Sequence, residues 1–334
     1  MKGNKKLKIF LVSLVLSMPF WWGINSFEKT LGDFWFLQKI TKNPQIFAAQ
    51  VNQQILEKEI KKAELEKLQA ERLNNLEIEA RAAISVEIDS QGKEKILFEK
   101  NSQQLLSIAS LSKLMTALVI FDLDETYNLS QLITITEESV EQEGSSKYGD
   151  LMAGESLSVE NLIHIMLIES SNDAAFSLTE PIGKKGFVGL MNIYAKELGL
   201  KNTYFVNPTG LDPDDSRNPS NYSTAEDLVK LTKYILENYP QIFEITTNQS
   251  YEVLMPNGLT HHFISENTNK LLGESANWRT KIIGGKTGWS LSAGGCLLLV
   301  IENPKNNSYF INIILGAKDR FGEMRKIIDV LNKS

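Results

Sequence analysis

The sequence predicts an α+β fold, in which one antiparallel sheet is assembled from both ends of the chain and flanked by helices, with a helical subdomain between. Three observations point there. Apolar alternation begins near Ala82, the middle of the chain carries stripes of helical period, and strand-like runs return only at Gly295–Ile301 and Tyr309–Leu315. The composition suits a folded core: 42% of the 334 residues are apolar, and a net charge of −6 excludes a broadly basic nucleic-acid binder, so no nucleic-acid partner is expected. Cys296, the single cysteine, rules out an internal disulfide and a cysteine zinc site.

The chain opens with Lys2, Lys5, Lys6 and Lys8, followed by an apolar run at 9–24 that is interrupted only by Ser13, Ser17, Pro19 and Gly23. A basic head before an apolar run is an export signal. It divides the chain into a cytoplasmic tail (1–8), a transmembrane signal-anchor (9–24), a stalk or linker (25–81) and a globular part (82–334) outside the cytoplasm. The run is shorter than the ~20 residues that span a bilayer comfortably, which suits a cleavable signal peptide. Yet no small-x-small site follows it, and Trp21 and Trp22 close it as interfacial aromatics do, so an uncleaved membrane anchor is the preferred reading. Ile46–Arg81 lacks Gly and Pro and carries helical-spaced opposite charges such as Glu57 and Lys61; it predicts a helical stalk of roughly 54 Å. Ile55, Ile60, Leu65, Leu68, Leu73 and Leu76 keep no sustained heptad, so a coiled coil is weakly signalled.

In the globular part, Ile84, Val86 and Ile88 share a strand face, Ser90-Gln91-Gly92-Lys93 is a turn, and Ile96–Phe98 completes a hairpin. Leu111, Leu114, Met115, Leu118 and Val119 mark the most apolar helix of the middle region, and further helices are read at Leu162–Ile168, Phe187–Leu198 and Ala225–Leu236. Asn303–Asn307 is a turn-rich connector, and Arg320–Leu331 has a final helical period. His164 reads as a satisfied core group. His261 and His262, adjacent on a strand, should point to opposite faces and share no metal. Asp212, Asp214 and Asp215 read as a solvated loop.

Three short segments carry chemistry. In Ser110-Leu111-Ser112-Lys113 the spacing puts the Lys113 amine within reach of the Ser110 hydroxyl on one helical face, and a serine beside a lysine base is an activated nucleophile. Ser26–Lys29 and Ser90–Lys93 repeat the spacing without the helical context, and a helix N-cap is the plainer role for Ser110. Ser170-Ser171-Asn172 lies where one apolar helical run ends and another begins. Lys286-Thr287-Gly288 precedes the apolar run of a C-terminal strand and is flanked by Gly284 and Gly285, which let another backbone approach closely.

In this order and on helix, loop and strand, the three segments match the set found in penicillin-binding proteins and class A β-lactamases. From about Ala83 to the C-terminal helix the chain resembles the serine-type D-alanyl-D-alanine carboxypeptidases, low-molecular-mass penicillin-binding proteins with the DD-peptidase/β-lactamase-like fold. The segments Asn207–Leu211, Tyr222–Asp227 and Asn267–Leu272 are also similar to stretches typical of that family. The resemblance implies that Ser110 attacks the carbonyl between two D-alanines of a peptidoglycan stem peptide and that Lys113 takes its proton. Ser170 would relay a proton to the leaving amine, with Asn172 completing the polar network. Lys286, Thr287 and Gly288 would line the place of the terminal carboxylate, and the N–H groups of Ser110 and Trp289 would form the oxyanion hole. It implies β-lactams as covalent inhibitors, and neither cofactor nor metal.

Departures from the family pattern are specific. Ser171 replaces a usual Gly and Gly284 a common acidic residue, two changes expected to narrow the substrate groove. The family's small β-rich domain and C-terminal amphipathic anchor have no counterpart after Leu331, so the N-terminal segment is expected to provide attachment. A class A β-lactamase needs a Glu-x-x-Leu-Asn carboxylate, whereas the nearest match, Glu197–Lys201, ends in Lys and contains a helix-capping Gly199. A D,D-endopeptidase on cross-links would use the same residues, and a catalytically idle β-lactam-sensing or wall-binding module would acylate without turnover.

Overall fold

The two chain ends meet in one sheet. A computed structural model, describing residues 44–142, 148–274, 278, 280–303 and 308–332, pairs β1 (Ala82–Ile88) with β2 (Glu94–Lys100) on one side. On the other side β1 meets β5 (Ser308–Ala317), followed by β4 (Gly294–Asn303) and, at the far edge, β3 (Lys281–Ser290). All four pairings are antiparallel, and β1 and β5 run in register from Ala82 opposite Leu315 to Ile88 opposite Tyr309.

Both faces of this sheet are covered, which explains why β4 reads as an unbroken apolar run rather than an alternating one. One core contains Ile84, Val86 and Ile88 with the apolar sides of α2 (Lys113–Asp122), α3 (Val159–Ile168), α4 (Asn172–Ser177), α5 (Lys184–Glu197), α6 (Ala225–Asn238) and α7 (Gln241–Thr246). The other packs Ala83, Leu299 and Ile314 against Met324, Ile327, Ile328 and Leu331 of α8 (Arg320–Asn332). Ser85 of β1 is buried, and its hydroxyl donates to Asn312 Oδ1 at 2.7 Å.

The chain divides into two units, 1–67 and 68–334. The long helix of the linker, α1 (Pro44–Asn74), ends seven residues before the Arg81 expected from composition. Beyond it the backbone has better partners than its own helix. Ile78 O accepts from Lys100 Nζ, Glu79 N–H donates to the Glu323 carboxylate, Arg81 N–H donates to Leu315 O, and the Ile78 and Ala80 side chains are buried. Val51, Ile55, Leu56, Ile60 and Leu65 of α1 are exposed. No helix among the described residues is long and apolar enough to cross a membrane; the segments 1–8 and 9–24 lie outside those residues.

Candidate active site

Ala109–Ser112 forms a single 3-10 turn that feeds directly into α2. No side chain caps either start, so Ser110 does not serve as an N-cap. The turn is pinned from within and without: Ser112 Oγ donates to Ala109 O at 2.8 Å, Asn221 Nδ2 donates to Ser112 Oγ at 2.8 Å, and Ile108 N–H donates to Asn221 O at 3.2 Å. Ala109 takes the left-handed φ of +46°, a sparsely populated state for a residue with a Cβ that persists where the surroundings over-determine it. Those surroundings are two glycines. A Cβ on Gly210 would stand 2.0 Å from Ala109 O, and one on Gly288 would stand 3.1 Å from Ser110 N.

Lys113, fully buried, places its amine 3.0 Å from Ser110 Oγ, 2.7 Å from Asn172 Oδ1 and 2.6 Å from Thr209 O. An ammonium would donate to all three oxygens. A neutral amine donates to the two carbonyls and turns its lone pair toward the Ser110 hydroxyl, the arrangement a general base needs. Ser110 keeps part of its surface exposed, so the oxygen is open to an incoming carbonyl.

Lys286, 1% exposed, donates to Ser170 Oγ at 2.8 Å and to Thr287 O at 3.1 Å. Burial holds its amine well below the ordinary lysine range, and the positive charges of Lys113 and then Arg320 push the same way. Ser170 has φ +69°. Thr287 Oγ1 donates to Thr268 Oγ1 at 2.8 Å, and the Thr268 N–H and hydroxyl reach Ile168 O, so β3 is tied to the end of α3 beside Ser170. Gly288 O accepts from Arg320 Nη1 at 3.2 Å, and Trp289 is 62% exposed at the sheet edge. The hydroxyls of Ser110 and Ser170 are thus each held by a lysine, and Asn172 bonds Lys113 from the residue that opens α4.

Four sequence expectations need correction. Ser171 does not narrow a groove: it is buried, and its Oγ caps α4 by accepting from Ala174 N at 3.2 Å. Nor does Gly284, where a Cβ would collide with the buried Phe243 ring at 2.5 Å; the missing side chain makes room for that ring. Asp212, half-buried, is not a loose loop carboxylate, since it accepts from Ser220 Oγ, Ser290 Oγ and Ser292 N at 3.0–3.1 Å and also from Ser292 Oγ, clamping the β3–β4 turn. His261 and His262 do not diverge. Their ribbon, Tyr251–Leu254 with Thr260–Ile264, pairs Val253 with His262 but Leu254 with Thr260, and this bulge at His261 brings the two rings together. His164 is as expected, with Nδ1 2.9 Å from Glu160 O and its ring stacked on Tyr251.

Residues 67–319 match the model of the D-alanyl-D-alanine carboxypeptidases. The chain belongs to that family. Among its relatives, the D-alanyl-D-alanine carboxypeptidase DacF of Bacillus subtilis is 33% identical over 270 residues, covering 79% of this chain and 64% of its own, so this chain spans just under two thirds of that relative. A D-alanyl-D-alanine endopeptidase of Escherichia coli is 32% identical over 257 residues, 76% of this chain and 75% of that protein. Penicillin-binding protein D2 of Listeria monocytogenes, solved in an ampicillin-bound form, superposes with a TM-score of 0.64 at 30% identity, over 76% of this chain and 98% of that one. The fold is therefore the antiparallel, helix-flanked architecture of the penicillin-binding proteins.

The sequence reading of this family member left several site residues without a role. Thr209, Gly210, Asn221 and Thr268 all stood in or beside stretches already matched to family segments, and a Gly or Asn in such a stretch signals a backbone constraint. Asn221 carries the most, accepting at Oδ1 from Val206 N at 2.7 Å and Asn207 N at 3.1 Å while its amide holds Ser112. Arg320 gave no signal, because an arginine opening an amphipathic helix looks like any other surface charge.

Proposed function

We propose that this chain is a serine-type D-Ala-D-Ala carboxypeptidase that removes the terminal D-alanine from peptidoglycan stem peptides through an acyl-enzyme on Ser110. The observation carrying this reading is the buried Lys113 amine 3.0 Å from Ser110 Oγ, held at 2.7 Å from Asn172 Oδ1 and 2.6 Å from Thr209 O. Lys113 accepts the Ser110 proton as the hydroxyl attacks. The tetrahedral oxyanion is met by the N–H groups of Ser110 and Trp289, a contribution of roughly 3 kcal/mol per donor in comparable acyl transfers. Ser170, bonded to Lys286, relays to the departing amine of D-alanine the proton that Lys113 took from Ser110, and water then hydrolyses the acyl ester, restoring the Ser110 hydroxyl and releasing the shortened stem. Lys286, Thr287 and Gly288 receive the terminal carboxylate: a buried amine disfavoured in its charged form gains most from an arriving anion. A β-lactam, which presents an acylating carbonyl and a carboxylate in the same relation, would trap the serine.

The relative named as an endopeptidase supports a second reading, hydrolysis of cross-links at the same site. The β-lactamase reading has less support, because Glu197 is the last residue of α5 and Gly199 closes that helix at φ +66°, as a C-cap glycine does. Mass spectrometry of muropeptides before and after treatment with the full chain decides between the first two. Loss of one terminal alanine supports the carboxypeptidase, and conversion of dimers to monomers supports the endopeptidase. Labelling by penicillin with no change in the muropeptides would leave only an acylating, non-hydrolytic module.

The basic and apolar segments at 1–24 support attachment as a single-pass membrane protein, with the catalytic unit outside the cytoplasm and α1 within the stalk. Recovery of the full chain in the membrane fraction, released by detergent but not by high salt, is the expected result.

A further inference from the structure

Thr209–Asp212, a single short stretch of loop, touches the base, the nucleophile turn and the end of β3. Thr209 O accepts from Lys113 Nζ at 2.6 Å. Gly210, at φ +84°, lies so close to the nucleophile turn that a Cβ there would stand 2.0 Å from Ala109 O and 2.9 Å from Ser110 N. Asp212 grips the opposite side. Its Oδ1 accepts from Ser290 Oγ at 3.0 Å, from Ser220 Oγ at 3.1 Å and from Ser292 Oγ, while its Oδ2 accepts from Ser292 N–H at 3.0 Å. Ser290 follows Trp289 directly and is the last residue of β3, paired with Gly294.

The stretch between these contacts is braced. Asn207 Oδ1 accepts from Thr209 N–H at 3.2 Å, Thr209 Oγ1 at 3.0 Å and Gly210 N–H at 2.7 Å. Asn207 Nδ2 donates to Leu211 O at 3.0 Å, and Leu211 N–H donates to Thr209 Oγ1 at 3.1 Å. A carboxylate offers about four lone-pair positions, and three hydroxyls with one N–H fill those of Asp212. Burial pushes the Asp212 carboxyl up, but hydrogen bonds from Ser292, Ser290 and Ser220 outweigh it and hold the group below the ordinary aspartate value, so the clamp is charged. Bonds to a charged acceptor are the stronger kind. An oxyanion hole needs its donors at a fixed separation. In the acyl-transfer reading the two donors lie on different elements, the Ser110 N–H on the nucleophile turn and the Trp289 N–H on β3.

We propose that Asp212 is a positioning residue for the oxyanion hole: through Ser290 and Ser292 it fixes the Trp289 N–H relative to that of Ser110, while Gly210 of the same loop bears on the nucleophile turn. This rests on the acyl-transfer reading and adds to it the part that sets the spacing of the two donors. The serines provide an internal control. Ser290 and Ser220 give the same kind of bond to the same oxygen, but only Ser290 belongs to the strand that carries Trp289. Freeing that strand lets the Trp289 N–H drift, and a donor displaced by roughly 1 Å costs the tetrahedral state more than the bound ground state.

The test is acylation of the full chain by a fluorescent penicillin, resolved into the Kd before the bond forms and the rate constant for forming it, with the labelled fraction counted. Ser290→Ala should lower the rate constant about 10- to 100-fold, keep Kd within about 3-fold and still label completely. Ser290→Thr, which retains a hydroxyl, should recover most of the rate, and Ser220→Ala should lose clearly less than Ser290→Ala. Asp212→Asn should lose at least as much as Ser290→Ala. One orientation of its amide sets N–H against the Ser292 N–H, and the other turns donors toward the hydroxyls that Oδ1 accepts. A boronic acid, which forms a tetrahedral adduct with the serine oxygen, should lose affinity for Ser290→Ala by the same factor as the rate constant. Equal rate losses for Ser290→Ala and Ser220→Ala would overturn the inference while leaving the nucleophile untouched. So would a smaller labelled fraction at an unchanged rate constant, the mark of misfolding alone. The serine pair decides by itself should Asp212→Asn fail to fold. A wild type that takes no label sinks the acyl-transfer reading and this inference with it.

Discussion

Lys113 and Lys286 are the same side chain in one site, both buried and both touching a serine hydroxyl, yet their surroundings differ in kind. Around Lys113 the chain supplies carbonyl oxygens, from Asn172 and Thr209, that fix two N–H directions and leave the lone pair of a neutral amine toward Ser110. Around Lys286 it supplies a hydroxyl, one backbone carbonyl and the positive charge of Arg320. The first environment orients an amine so that it can accept a proton. The second sets the amine in a buried place beside other positive charges, which makes the protonated form costly. Residue type made either lysine a candidate base, and the neighbours divided the roles.

The largest effect that tests this division is Ser110→Ala, which should remove penicillin labelling and lower D-alanine release by about 10⁴-fold or more, with Ser170→Ala retaining label. Labelling of the Ser110→Ala protein would reassign the nucleophile and with it the role of Lys113. Next, the two lysines should separate on ligand chemistry. Lys113→Ala is expected to slow acylation by roughly 10²–10⁴-fold whether the peptide ends in a carboxylate or a methyl ester, as loss of a general base does. Lys286→Ala should cost about 10²-fold on the free carboxylate and far less on the ester. Equal losses on both ligands for both variants would erase the distinction.

Smaller effects probe what holds the two halves together. Gly210→Ala sets a Cβ 2.0 Å from Ala109 O on a residue at φ +84°, and it should destabilise the protein by about 3 kcal/mol in denaturant titrations, displacing the nucleophile turn. The last prediction concerns pH. Lys286 binds its proton less readily folded than unfolded, so between its lowered value and 10.5 the unfolded chain holds more protons and stability rises with pH. Over that window wild type should gain up to about 1.4 kcal/mol per pH unit relative to Lys286→Met. Parallel curves for the two proteins would mean that the amine is not penalised by burial.

Much of this was legible along the chain. Hydrophobic period alone placed β1, β2, β4, β5 and the middle helices to within a few residues, because the period follows from backbone geometry, which every segment carries with it. The stalk helix was overextended for the same reason: residues 75–81 have helical composition, and the distant partners at Leu315, Glu323 and Lys100 draw them out of the helix. The three motifs could be read because the spacing of Ser110 and Lys113 is itself a helical contact, and because family likeness supplied the order of the other two.

Contacts between segments far apart in sequence were not written in any local pattern. The carbonyl of Thr209, the amide of Asn221 and the guanidinium of Arg320 acquire meaning only when folding brings residues 209, 221 and 320 against positions 112, 113 and 288. The paired rings of His261 and His262 depend on a single bulged residue, which reverses the facing that strict alternation assigns. The sequence by itself determined which residues are candidates for acyl transfer, since that candidacy lies in functional groups and near-neighbour spacing. Tertiary structure decided which lysine is aligned by two carbonyls and which is buried beside other positive charges, because hydrogen-bond direction and burial are set by neighbours that only the closed fold supplies.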